Sequence, residues 1–256
     1  MSRFGNLEFD DDSSAQLVPR QAHSDEAEHL EKAQNALASG RFELALRCYA
    51  KVLEFNPRNA AAWTGQVRML VELGEFDEAR LWADKALEQF PREPELLAAK
   101  GVALARLGDT AAGLAFSDAA IEERGDTPYV WVARGDVLLA REEKRAQYCF
   151  EKALQIAANH WLCAWLISRV HYYYSQFALA LKYAQQALAA NATQAVVWLQ
   201  TGNCQLALGL ADIARNSFEQ ARQLDPACME ARQGIAQASQ APGSGFKNWW
   251  RRLFRS

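Results

Sequence analysis

The feature that most constrains this chain is a spacing. Trp63, Leu97, Trp131, Ala164 and Trp198 follow one another at 34, 34, 33 and 34 residues. Three columns of mostly small residues keep the same step. One runs Ala33, Val67, Gly101, Gly135, Ser168, Gly202; another runs Ala45, Ala79, Gly113, Ala146, Ala180, Ala214; the third runs Val52, Ala86, Ala120, Ala153, Ala187, Ala221. A fixed period of this length means one supersecondary unit stacked many times, with neighbours burying each other's apolar faces. The units run 26–59, 60–93, 94–127, 128–160, 161–194 and 195–228. They close at Pro57, Pro91, Gly125, Ala158, Ala192 and Pro226.

Each unit reads as two helices, A and B. In 60–93, helix A covers AAAWTGQVRMLVEL and helix B covers DEARLWADKALEQF. Gly74 lies between them, where a residue that tolerates positive φ closes a helix, and Gly40, Gly108 and Gly209 repeat the device. Proline at the end of helix B removes a hydrogen bond and clashes with the preceding turn, so the helix stops. Small residues in the columns let helices approach closely, and large ones fill the gaps.

With these residues in place, the pattern resembles the tetratricopeptide repeat. Segments 60–93 and 195–228 carry most of its marks: Trp63 or Trp198, Gly74 or Gly209, Ala79 or Ala214, Ala86 or Ala221, and Pro91 or Pro226. The resemblance spans the six units, 203 of 256 residues. It implies an all-α fold, a right-handed α-solenoid of six helix-turn-helix repeats, with 229–241 as a C-terminal capping helix. Three departures carry expectations. Unit 26–59 has His29 where a large residue usually stands. Unit 128–160 lacks one residue and a turn glycine, so its Glu142-Glu143-Lys144 turn should be tight or partly 3₁₀. Unit 161–194 ends in Ala192, so its helix B should run on.

The resemblance also implies a concave groove lined by one face of each helix A, where partner peptides lie. Carried over by register, that face holds Leu30, Gln34, Thr64, Arg68, Glu72, Ala98, Val102 and Arg106 in the first three units. In the last three it holds Tyr129, Val132, Asp136, Trp165, Arg169, Tyr172, Tyr173, Leu199 and Asn203. Rings at this density bury apolar area on a peptide, while Arg68, Arg106, Arg169 or Asp136 set its register. Some rings could instead pack between helices. The carboxylate clamp of chaperone-binding relatives is missing, because its places hold Leu30, Gln34, Gly65, Glu95 and Ala99.

The ends differ from the array and from each other. Residues 1–25 carry a net charge of −3 and show no helical period before about Ser24, which reads as a disordered acidic arm with Ser24-Asp25 capping the first helix. After a flexible 242–245 comes FKNWWRRLFRS. As a helix it puts Phe246, Trp249, Trp250, Leu253 and Phe254 on one stripe, with Lys247, Arg251 and Arg255 opposite and Arg252 beside it. Aromatic rings with four cations suit an anionic membrane surface, and a peripheral anchor is the leading reading. The same segment could dock on another protein or fold back on the last repeats.

Composition removes other classes. A net charge of −3 argues against a nucleic-acid coat, and no run approaches a membrane span of about 18 apolar residues. The start, MSRFGNLEFDDDSS, is not a secretory leader. Five cysteines without a C-x-x-C pair read as buried free thiols in a reducing cytoplasm. No nucleotide-binding, hydrolase or zinc-protease motif appears, and His23, His29, His160 and His171 are scattered. The expectation is a cytoplasmic, non-enzymatic scaffold or adaptor without cofactor, metal, nucleic acid or small-molecule substrate. Its partners are proteins and, through the tail, a membrane; a homo-oligomer is allowed. The alternative is a soluble assembly or chaperone-like factor whose tail docks on protein.

Overall fold

The computed structural model describes residues 19–240. Among the described residues there are thirteen α-helices and no strand. Helices A are α1 (Pro19–Ala38), α3 (Ala60–Leu73), α5 (Pro94–Arg106), α7 (Pro128–Ala140), α9 (Trp161–Tyr173) and α11 (Ala195–Ala207). Helices B are α2 (Phe42–Phe55), α4 (Phe76–Gln89), α6 (Thr110–Glu122), α8 (Ala146–Ile156), α10 (Phe177–Ala190) and α12 (Ala211–Leu224), and α13 (Met229–Gln240) follows the last pair. The helices gather into two compact units that divide between Ala153 and Leu154, inside α8.

Local chemistry sets the helix ends. Asn59 accepts a hydrogen bond from the Ala62 N–H at 2.9 Å, and Asp109 one from the Ala112 N–H at 3.0 Å, which satisfies a donor that the first turn leaves open. Gly74 closes α3 at φ 81°, in the left-handed region where a side chain would be strained. The period reappears in hydrogen bonds. The Trp63 indole donates to the Pro57 carbonyl at 2.9 Å, and the Trp198 indole donates to the Ala192 carbonyl at 2.8 Å.

In the first unit, successive hairpins are also joined by a repeating ion pair. Lys100 of α5 meets Asp84 of α4, and 34 residues on, Arg134 of α7 meets Asp118 of α6. Lys100 and Arg134 are mostly buried while the aspartates stay half exposed. Bare glycines admit large rings. A Cβ on Gly65 would lie 2.5 Å from the Tyr49 ring, and one on Gly135 2.3 Å from Phe150. In the second unit, Phe218 is fully buried between Gly202 of α11 and Gly234 of α13.

Three expectations are corrected. The first helix begins at Pro19, well before Ser24, and proline is favoured at a first helical position because its missing N–H has no partner there anyway. The 141–145 connection is a turn and not a 3₁₀ helix. Glu142 takes φ 57° in place of the missing glycine, and the Glu143 carboxylate holds Arg141 and Arg145. Helix α10 does not run on past Ala190. The Asn191 side chain accepts from the Thr193 N–H at 2.9 Å and the Thr193 hydroxyl at 2.7 Å, a local turn that competes with the helix.

Candidate partner-binding face

The two units treat their helix-A residues differently. In the first, most of the expected face is occupied by the protein itself. Thr64, Ala98, Val102 and Val132 are buried, so they are core and not lining. Arg106 donates through Nε and Nη2 to both Asp136 oxygens, at 3.3 and 2.6 Å, with side chains only 8% and 4% exposed. A charge pair this enclosed is neutralised internally and has no free valence for a ligand. Arg68 of α3 lies flat over the Tyr129 ring of α7, 3.7 Å from its centre, and reaches Glu95 of α5 at 3.6 Å. Burial pushes the Tyr129 phenol well up, and Arg68 only partly offsets that. Tyr49 is pushed up for the same reason, with Arg68 again opposing.

In the second unit the expected residues separate into support and surface. Trp165 is buried, which corrects its placement as an open lining ring. Its indole instead underlies Arg169, whose guanidinium carbon is 5.3 Å from the ring centre. Trp161 is buried beside it. Tyr173 is 45% exposed and stands edge-on to Tyr174 at 5.0 Å. Tyr172 is half-buried against Phe177 at 5.2 Å, and Asn203 and Leu199 are half-buried on α11. Burial raises the Tyr172 phenol, and it pushes the Cys204 thiol of α11 up to about 11 despite the Gln200 amide that donates to it and the Ser168 hydroxyl nearby.

The α9–α10 turn holds this face in place. His171 is buried, stacked on Tyr183 at 5.2 Å, with Nδ1 paired to Gln176 Oε1 at 2.8 Å. That makes it a core polar residue. The Ser168 hydroxyl donates to the Ala180 carbonyl at 2.7 Å across the same hairpin. Sequence reasoning passed over Phe177 and Tyr174, although Phe177 stands in the column of Phe42 and Phe76 at the start of helix B. It also passed over a charge gap: no Asp or Glu occurs between Glu151 and Asp212.

No cluster of three His, Cys, Asp or Glu among the described residues is arranged to hold a metal ion. No described helix is long and apolar enough to cross a membrane. The tail residues Phe246, Lys247, Trp249, Trp250, Arg251, Arg252, Leu253, Phe254 and Arg255 lie outside the described residues, as does the acidic arm before Pro19.

Antiparallel helix pairs repeated at a fixed step, with small residues under bulky ones, define a helical-repeat protein. The family model of the tetratricopeptide repeat matches residues 30–94, and helix hairpins of the same form recur through α12. The chain contains tetratricopeptide repeats, and its described helices have the fold of such repeats. Among solved structures it is similar to the crystal structure of the APC/C hetero-tetramer Cut9–Hcn1, at 16% identity and TM-score 0.51, over 86% of this chain and 46% of that one. It thus spans about half the length of that protein. It is also similar to TTC0263, a thermophilic TPR protein of Thermus thermophilus, at 19% identity and TM-score 0.50, over 84% of this chain and 98% of that one. At these identities the likeness is one of fold. No curated protein matches the sequence.

Proposed function

We propose that this chain is a non-enzymatic scaffold that binds a peptide segment of a protein partner on the helix-A face of its second unit. The observation that carries this reading is the contrast between the units. In the first, Thr64, Ala98, Val102 and Val132 are buried and Arg68 lies against Tyr129, whereas in the second the Tyr173 ring is 45% exposed one helical turn from Arg169. A rigid ring and an oriented guanidinium are the side chains that most often anchor interfaces. The absence of Asp and Glu between Glu151 and Asp212 favours a segment that carries carboxylates of its own.

Comparing the intact chain with Arg169→Ala/Tyr173→Ala as bait in cell extract tests this. The double variant should lose at least about tenfold of the captured partner. Leu81→Ser, at an exposed place on α4 of the first unit, should retain it. Equal capture by all three removes the second-unit face as the binding site. An anionic membrane as the seat of the tail remains a reading of sequence alone, and nothing in the described residues favours it.

A further inference from the structure

The seam between the first two repeats differs from the seam that follows it. In the second seam, Arg92 of the α4–α5 loop pairs with Glu123, the residue that closes α6, Nε to Oε1 at 3.0 Å. Thirty-four residues earlier, the same two places hold Arg58 of the α2–α3 loop and Gln89, the last residue of α4. A neutral amide thus stands where the carboxylate would be. Among the described residues the Arg58 side chain makes no ion pair or hydrogen bond. Only its backbone N–H is bonded, to Asn56 Oδ1 at 3.1 Å.

A second exchange accompanies the first. Glu123 is followed by Arg124, whereas Gln89 is followed by Phe90, a half-buried ring. The first seam therefore keeps the cation, lacks the acid and adds an apolar wall. Pro57, Arg58, Gln89 and Phe90 line an open cleft of about 560 Å³, within the size range of ligand sites.

The loop that carries Arg58 is held on both sides. The Pro57 carbonyl accepts from the Trp63 indole at 2.9 Å, and the amides of Asn56 and Asn59 donate to the Glu26 carboxylate at 3.0 and 2.8 Å. Binding therefore has little beyond the arginine side chain to order. Neighbouring acids are engaged or out of reach. Glu26 is held by those amides, Glu54 is paired with Lys51 at 2.7 Å, and exposed Glu88 does not meet Arg58. Lys85, one turn before Gln89 on α4, lies over the Trp82 ring at 5.1 Å and adds a second positive charge on that face.

An apolar wall beside an unpaired guanidinium suits a carboxylate and an apolar group presented together. The next seam shows the form that fits, because the group that satisfies Arg92 is a glutamate side chain on a polypeptide. We propose that this cleft binds a peptide segment of a protein partner, with a Glu or Asp side chain on Arg58 and an adjacent aliphatic side chain against Pro57 and Phe90. The Gln89 amide, a donor and an acceptor, is left for the peptide backbone. This site lies on the first unit and does not rest on the face proposed for the second.

Titrating the intact chain with acetyl-Gly-Leu-Glu-Gly-amide, followed by backbone amide shifts in NMR, tests this. The amides of Arg58, Gln89 and Phe90 should shift and saturate. Glu replaced by Gln in the probe should bind at least about fivefold more weakly. Arg58→Gln should cause the same loss. So should Gln89→Glu, which removes no side chain but rebuilds in this seam the ion pair of the next. Arg92→Gln should leave the affinity within about twofold, and an unmoved Trp63 indole resonance should show that each variant keeps the fold. Five results overturn the proposal: no movement of those amides at about 10 mM peptide, equal binding of the two probes, binding indifferent to Arg58→Gln, full binding by Gln89→Glu, or isovalerate bound as tightly as the peptide. The last makes the cleft a site for free carboxylates.

Discussion

Arg106 and Asp136 are thirty residues apart in the chain and share one enclosed ion pair. Removing one partner leaves the other charged and buried. Asp136→Ala should lower the unfolding free energy by about 3–5 kcal/mol, read from the urea midpoint. Arg106→Met/Asp136→Leu should recover most of that loss, because it removes both charges and keeps the volume. If the double variant is no more stable than Asp136→Ala, the pair is not the source of the loss. Register places both residues on the helix-A face, but register cannot show that they meet. That depends on which rotamers bring α5 and α7 side chains together, and a charged residue on a face looks the same in sequence whether a ligand or a neighbour holds it. Trp165 taught the same lesson in reverse: a ring on the expected face turned out to be a buried support for Arg169.

At the scale of helices, two glycines in the last hairpin serve different ends. A Cβ on Gly202 would lie 2.6 Å from Phe218, while one on Gly209 would meet nothing within 4 Å, though its φ is 76°. Gly202→Ala should cost about 1–3 kcal/mol through overpacking, and Gly209→Ala about 1 kcal/mol through backbone strain. Urea midpoints should rank them in that order. Adding Phe218→Leu should rescue part of the first loss and deepen the second. If Phe218→Leu deepens both losses alike, the close approach is not what the glycine at 202 provides. Helix pairs and turn glycines were legible from the sequence because sterics writes them into residue type every 34 positions. The exceptions fall where a single polar residue takes the place of the expected proline or glycine. Asn191 stops α10 without a proline, and Glu142 turns the 128–160 hairpin without a glycine. Residues of those types occur throughout the chain, so their local use leaves no periodic trace.

Across the whole molecule, ionisable groups that resist ionisation are spread over both units. Burial pushes Cys163 up to about 12 and Cys204 up to about 11 in the second unit, and raises Tyr49 and Tyr129 in the first. In the unfolded chain the thiols ionise from about pH 8.5 and the phenols from about 10. Between those values and the raised folded ones, the unfolded state binds fewer protons, so stability falls as pH rises. It is fully present below about pH 8. The thermal midpoint should drop by roughly 5 °C between pH 8.5 and 10.5. Cys163→Ala should flatten that drop; a midpoint constant over the range would mean these groups ionise as easily folded as unfolded.

The ion pairs Asp84–Lys100 and Asp118–Arg134 have a further consequence. Each joins the second helix of one hairpin to the first helix of the next, and the two joints are chemically interchangeable. Copying or excising residues 94–127 would therefore leave an Asp–cation pair of this kind at every new seam, although excision would also take Arg106 away from Asp136. In evolutionary terms, this part of the chain can change its length by whole units and keep one of its joints.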